Sequence, residues 1–188
     1  MGNAVESAVM APTDHGRPTP SRFTTERLLL RPRTMDDFGA CLEMDRDPEV
    51  TAYVDGPWND PDEHRAFLTQ RILATYPPGH GYWAITTHDS PEDLLGWVLV
   101  LPTDEAGVAE IGWRLVRRAW GRGYATEAAR RILDHVWADT AVTRVTADIH
   151  PDNRASIAVA TKLGLRLEGA RPDGALRHSM AAPLARRR

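Results

Sequence analysis

Between Glu110 and Ala129 the chain places an acidic residue on an apolar stretch, then a basic turn with two glycines, then an alanine-rich helical pattern. The turn, Arg118-Ala119-Trp120-Gly121-Arg122-Gly123-Tyr124-Ala125, opens directly into the helix. A helix start presents backbone N–H groups without internal partners, together with the positive end of the helix dipole. Gly121 and Gly123 let those groups turn inward and let a ligand approach a backbone that has no Cβ there. Arg118 and Arg122 add positive charge, and the whole reads as a cradle for a pyrophosphate. The plainer alternative is a glycine turn that only joins a strand to a helix.

The details of the turn exclude two familiar phosphate binders. A dinucleotide fingerprint needs a third small residue where this chain has Thr126, and a P-loop needs Gly-Lys-Ser/Thr, whereas the only lysine is Lys162. The turn instead resembles the Arg/Gln-x-x-Gly-x-Gly/Ala motif of the GNAT N-acetyltransferase superfamily. Its extended form, Trp120 to Ala128, is similar to the RimJ/RimL-like, bacterial-type branch. Thr25-Glu26-Arg27-Leu28-Leu29-Leu30-Arg31-Pro32 resembles that branch's first strand. Asn153-Arg154-Ala155-Ser156, leading to Lys162-Leu163-Gly164-Leu165, resembles its Asn-x-x-Ser helix. The pieces fall in the family's order and the resemblance spans about Arg22 to Ala182.

The resemblance implies an acetyl-CoA-dependent N-acetyltransferase acting on a primary amine, either a protein N-terminus or a small molecule. It also implies a strand pair that splays, here the strand of Glu110 and the one from Val142 to His150, with pantetheine in the gap. The expected acetyl-CoA contacts are Trp113, Arg114 and Leu115 by backbone; Arg118, Gly121, Arg122, Gly123, Tyr124, Ala125 and Thr126 in the cradle; and Asn153 and Ser156. Family members often place a carboxylate on this strand, so Glu110 is the candidate base. Its alternative is a sheet-face carboxylate paired to Arg114 or Arg144. Glu127, in the first helical turns, reads as structural. Many members have a tyrosine acid seven residues after the motif asparagine, but that position is Ala160 here. Ser156 is then the candidate partner of the leaving sulfur, with a helix cap as its other reading. The missing tyrosine also motivates an alternative function, a catalytically silent acyl-CoA-binding module. By the resemblance the acceptor groove falls near 50–61 and 170–176. There Tyr53, Asp55 and Trp58, with His150 at the mouth of the splay, are candidate acceptor contacts, or simply loop residues. A homodimer is compatible with the family.

Composition bounds the remainder. At 188 residues, 42% hydrophobic, the chain suits one α/β domain, and no apolar run approaches the roughly 20 residues of a membrane span. A net charge of −3 argues against a general nucleic-acid surface. Cys41 is alone, so no internal disulfide forms, and its apolar neighbours Phe38 and Leu42 suggest a buried thiol; a cytoplasmic protein is expected. No zinc or other metal motif and no Gly-x-Ser-x-Gly appears.

The pattern predicts a leader over 1–20 without order, a GNAT domain over 21–183 and a basic tail over 184–188. Within the domain it predicts six to seven mostly antiparallel strands and four helices. The first strand runs from Phe23 to Pro32, and Thr34 with Asp37 forms a capping box ahead of a helix carrying Phe38, Cys41 and Leu42. Asp60-Pro61 starts a second helix with Phe67, Ile72 and Leu73 as its apolar residues and His64 on its surface. The helix after the cradle buries Ala125, Ala128, Ala129, Ile132, Leu133 and Val136.

Overall fold

A computed structural model describes residues 21–183, so the predicted leader and basic tail lie outside the described residues. The elements run β1 (Phe23–Thr24), β2 (Leu28–Pro32), α1 (Phe38–Arg46), α2 (Pro48–Thr51), α3 (Pro61–Leu73), β3 (Gly81–Thr87), β4 (Gly96–Pro102) and β5 (Val108–Leu115). They continue as α4 (Tyr124–Asp139), β6 (Arg144–Ile149), α5 (Arg154–Leu163), β7 (Arg166–Ala170) and β8 (Leu176–Ala181). One mixed sheet orders the strands β1-β2-β3-β4-β5-β6-β8-β7, antiparallel except for the β5–β6 pair.

The expected α/β fold is present, with one more strand and one more helix than the sequence pattern predicts. The extra strand arises because Phe23 to Pro32 is a tight hairpin instead of one strand: Thr25 N–H donates to the Leu28 carbonyl, and Phe23 pairs with Leu30. The extra helix, α2, is a single turn started by Pro48, with the Asp47 side chain accepting from Glu49 N–H.

Local rules explain the helix starts. The Thr34–Asp37 capping box forms, and Arg31 grips the same Asp37 carboxylate at 2.7 and 2.8 Å. Asp60 accepts from the N–H groups of Asp62 and Glu63 at the head of α3, each at 3.0 Å. On α4 the predicted stripe is buried against one face of the sheet, where it meets Trp83, Ile85, Val98, Val100 and Ile111. Its three alanines let the helix lie close, while Ile132, Leu133 and Val136 each contribute about 1.5–3 kcal/mol of burial.

The opposite face carries α1 and α3, packed on Tyr82, Ala84, Trp97, Leu99 and Leu101. Here the predicted α3 stripe needs correction. Leu73 is 55% exposed, whereas His64, expected on the surface, is 2% exposed beside the buried Leu68. His64 is drawn inward by a polar partner: its Nε2 lies 3.4 Å from the buried Asp45 carboxylate. Cys41 is fully buried in this layer, and burial pushes its thiol up to about 11, which suits a core residue and not a nucleophile.

Candidate active site

The site is built where the sheet comes apart. β5 pairs with β6 only at Val108–Arg144, Ala109–Val145 and Glu110–Thr146; beyond Glu110 the two strands diverge. On its other edge β5 stays paired to β4 as far as Leu115. Val116 N–H donates to the Leu95 carbonyl on the β4 side. Because backbone groups alternate along a strand, Ile111, Trp113 and Leu115 turn theirs towards the gap. The Leu115 carbonyl is taken by the Trp120 indole N–H at 2.8 Å, leaving the groups of Trp113 and the N–H of Leu115 without a strand partner. An extended amide-bearing chain fits such an edge.

The gap leads to the glycine turn. Gly121 and Gly123 have φ of +73° and +80°, values that a side chain strains, and Gly123 is the N-cap residue of α4. No side chain caps this helix, so the first-turn N–H groups of Tyr124, Ala125 and Thr126 face outward. The space where a Cβ of Gly121 would project is open. Of the two flanking arginines, Arg118 is drawn to Asp93 at 2.6 Å and the Leu94 carbonyl, while Arg122 makes no ion pair among the described residues. A cleft of about 260 Å³ beside the turn is lined by Thr87, Ser90, Arg118, Arg122 and Tyr124 among others.

The turn is anchored from the hairpin. Glu127 accepts from the Thr25 hydroxyl at 2.6 Å, the Arg27 N–H at 3.0 Å and the Arg27 guanidinium at 2.7 Å. The same guanidinium donates to the Arg122 carbonyl at 2.9 Å and lies over the Tyr124 ring. Burial by itself would raise the Glu127 carboxyl, but these donors outweigh it and hold the group below the usual carboxylate range.

On β5, Glu110, Gly112 and Arg114 share the face that carries α1 and α3, because they lie opposite Leu101, Leu99 and Trp97 of β4. Neither alternative partner holds Glu110. Arg114 is bonded to Asp45 at 2.6 Å beneath Trp58, and Arg144 to Glu105 and Glu168. Among the described residues the Glu110 carboxylate makes no hydrogen bond or ion pair. It stands half-buried at the last rung before the splay. Burial raises its pKa, Asp148 adds to the rise, and Arg177, Arg71 and Arg171 oppose it. Gly112 shows no bulge; the Leu99 side chain packs over it, so its small size serves packing.

The remaining sequence candidates divide. Tyr53 and His150, from distant segments, meet with ring centroids 5.1 Å apart. Trp58 packs edge-on against His64 and Phe67 with its N–H on the Val54 carbonyl, while Asp55 is exposed. Asn153 caps α5 by accepting from Ser156 N–H at 3.0 Å, and the Ser156 hydroxyl makes no hydrogen bond among the described residues. Ala160, at the tyrosine position, is fully buried.

The sequence did not single out Asp148, Arg177, Arg171 and Arg71, whose charges act on Glu110. Asp148 follows Thr146 by two on β6 and pairs in register with Arg177 of β8, so strand alternation would have found both once the pairing was known. Arg71 continues the α3 face of His64 and Leu68 at helical spacing. Among the described residues no group of three or more His, Cys, Asp or Glu is placed to hold a metal, and no helix is long and apolar enough to cross a membrane.

Residues 27–166 match the acetyltransferase (GNAT) domain family. The uncharacterized N-acetyltransferase p20 of Bacillus licheniformis is 29% identical over 77% of this chain and 82% of its own length. An acetyltransferase (GNAT family) structure from Bacillus anthracis superposes with a TM-score of 0.73 at 23% identity, covering 86% of this chain and 99% of that one. RimL, the ribosomal L7/L12 alpha-N-protein acetyltransferase in complex with coenzyme A, superposes with a TM-score of 0.71 at 18% identity, covering 84% and 95%.

Proposed function

Because the chain belongs to the GNAT acetyltransferase family and is an acyltransferase using acetyl-CoA, we propose that it acetylates a primary amine by direct attack on the thioester, with Glu110 as base. Acetyl-CoA supplies the activated acyl group. The positive-φ glycines and the uncapped start of α4 suit its pyrophosphate, and the open edge of β5 suits its pantetheine amides. Arg122 supplies the uncommitted positive charge, and the Asn153 side-chain amide nitrogen, left over from capping, supplies a further donor.

The observation that carries the reading is the unpaired, half-buried Glu110 at the rung where the sheet opens. Amines arrive protonated at neutral pH, with pKa about 8 for an α-amine and about 10.4 for lysine. Glu110, acting through a water, takes one proton from the ammonium and so frees the nitrogen lone pair; the nitrogen then bonds to the acetyl carbon, the carbon–sulfur bond breaks, and the second proton lost from the nitrogen is taken up by the released thiolate. A β5 N–H facing the gap stabilises the charge that develops on the carbonyl oxygen. A thiolate of pKa roughly that of cysteine, about 8.5, leaves with little help. That is consistent with Ala160 at the position where the family resemblance would put a tyrosine acid, and it leaves the Ser156 hydroxyl on the first turn of α5 as the candidate partner of the sulfur.

The test is free-thiol release from acetyl-CoA with amino acids, N-terminal peptides, polyamines and aminoglycosides offered in separate pools. Release stimulated by one pool supports transfer. Release by the Glu110→Gln variant at an unchanged rate across pH removes Glu110 as base.

A further inference from the structure

The charges around Glu110 are unequally committed. Asp148 is occupied: Arg177 binds it with two parallel hydrogen bonds of 2.8 and 2.7 Å, and Arg171 lies 3.2 Å away. Among the described residues Arg71 has no such carboxylate. Its Nη1 donates to the Tyr82 hydroxyl at 2.8 Å and its guanidinium lies 4.2 Å from the Phe67 ring centre, which fixes the plane of the group. Among the described residues its Nε and Nη2 make no hydrogen bond, and neither nitrogen is sealed from solvent. They form one edge of the guanidinium, the edge that receives a carboxylate in a two-bond fork.

Arg71 and Glu110 also share a face. Tyr82, which tethers Arg71, pairs with Leu99 of β4, and Glu110 pairs with Leu101 two residues along the same strand. α3 and the sheet face beneath it therefore hold an uncommitted guanidinium edge and an uncommitted carboxylate, near enough for the two charges to act on each other. Of the charges that act on Glu110, three are arginines, Arg177, Arg71 and Arg171, and one is a carboxylate, Asp148. Such a site favours an acceptor that brings its own negative charge and disfavours a polycation.

Resting on the acetyl-transfer reading, we propose that the acceptor is a free α-amino acid whose carboxylate docks on the open edge of Arg71 while its amine faces Glu110. The chemistry recognised is a primary amine with a carboxylate in the same small molecule. A peptide whose N-terminal residue is acidic offers the same pair of groups from another source.

The experiment is calorimetric binding to the full chain loaded with coenzyme A, which needs no turnover. A pool of neutral L-α-amino acids is compared with the same residues as carboxamides, and a third arm uses peptide amides beginning with Asp or Glu. The acids should bind roughly 10- to 100-fold more tightly than the carboxamides, as loss of a charged hydrogen-bond pair implies. Arg71→Gln should abolish that preference and Arg71→Lys should retain part of it, both with unaltered coenzyme A affinity. Equal binding of acids and carboxamides, a preference that survives Arg71→Gln, or binding by neither pool overturns the proposal. Binding by the acidic peptides alone overturns the free amino acid as acceptor. Preferential binding without any thiol release supports the Arg71 site and counts against transfer alone.

Discussion

The glycine turn and the surroundings of Glu110 are made of different material. At the proposed pyrophosphate cradle the groups offered are backbone: two glycines at positive φ and the first N–H groups of α4, all within Gly121–Thr126. At the proposed acceptor end they are side chains, brought by α3, β5, β6, β8 and the loop before β8 to one face of the sheet. Backbone recognition needs a local fold and little else, whereas side-chain recognition needs the tertiary structure and is free to vary with the acceptor. Altering either end separately should therefore damage a different kinetic quantity.

The largest effect is expected at the acceptor end. Glu110→Gln should lower kcat by about 10²- to 10⁴-fold, the usual worth of a general base, with acetyl-CoA affinity unchanged in equilibrium binding. At the cradle, Gly123→Val should weaken acetyl-CoA binding by roughly tenfold or more, since a branched side chain at φ +80° costs about 1–2 kcal/mol before any contact with phosphate is counted. If Gly123→Val left affinity intact and Glu110→Gln destroyed it, the assignment of roles to the two ends would be reversed.

The pH profile sharpens the contrast. Burial, then Asp148, lift Glu110 against the opposing charges of Arg177, Arg71 and Arg171, so kcat/KM should rise with pH through a value above the ordinary carboxylate range near 4.3. The same shift carries a stability cost. A raised folded-state pKa means that ionisation is harder in the folded chain, so the penalty appears as pH climbs from the unfolded value through the folded one. Glu110→Gln should therefore melt above the parent at neutral pH and match it below about pH 4. Differential scanning calorimetry at the two pH values checks this.

Glu127 has the opposite sign. Its lowered carboxyl contributes stability that is present above the unfolded value and lost as pH falls through the folded one. Glu127→Gln should cost about 1–2 kcal/mol at neutral pH, at the low end for charged hydrogen bonds because Arg27 is substantially exposed. Chemical denaturation should show the difference closing in acid.

What the sequence disclosed follows the same division. The conformation of the glycine turn was legible because Gly121, Gly123 and the helix after them are contiguous and their conformation follows from residue type. The α4 stripe was legible because helical periodicity alone selects Ala125 to Val136. The hairpin at Thr25–Arg27 was hidden, since its reason is a carboxylate a hundred residues away at Glu127. His64 was misplaced for a related reason: a polar residue reads as surface until Asp45 is known to await it in the core. The role proposed for Arg71 was invisible because it rests on the edge left open after Tyr82 has fixed the guanidinium's position.

The three-rung contact between β5 and β6 has a mechanical meaning as well. The sheet is in effect two panels riveted along Val108–Glu110 and cracked open beyond it, and Glu110 stands at the tip of the crack. On the reading proposed above, a pantetheine arm laid into the opening acts as a wedge that also bonds to the walls. Seating it sets the opening angle and with it the distance from the carboxylate to whatever lies on either side. Amide exchange at Trp113 and Leu115 should slow when coenzyme A fills the crack, while the riveted segment stays as it was.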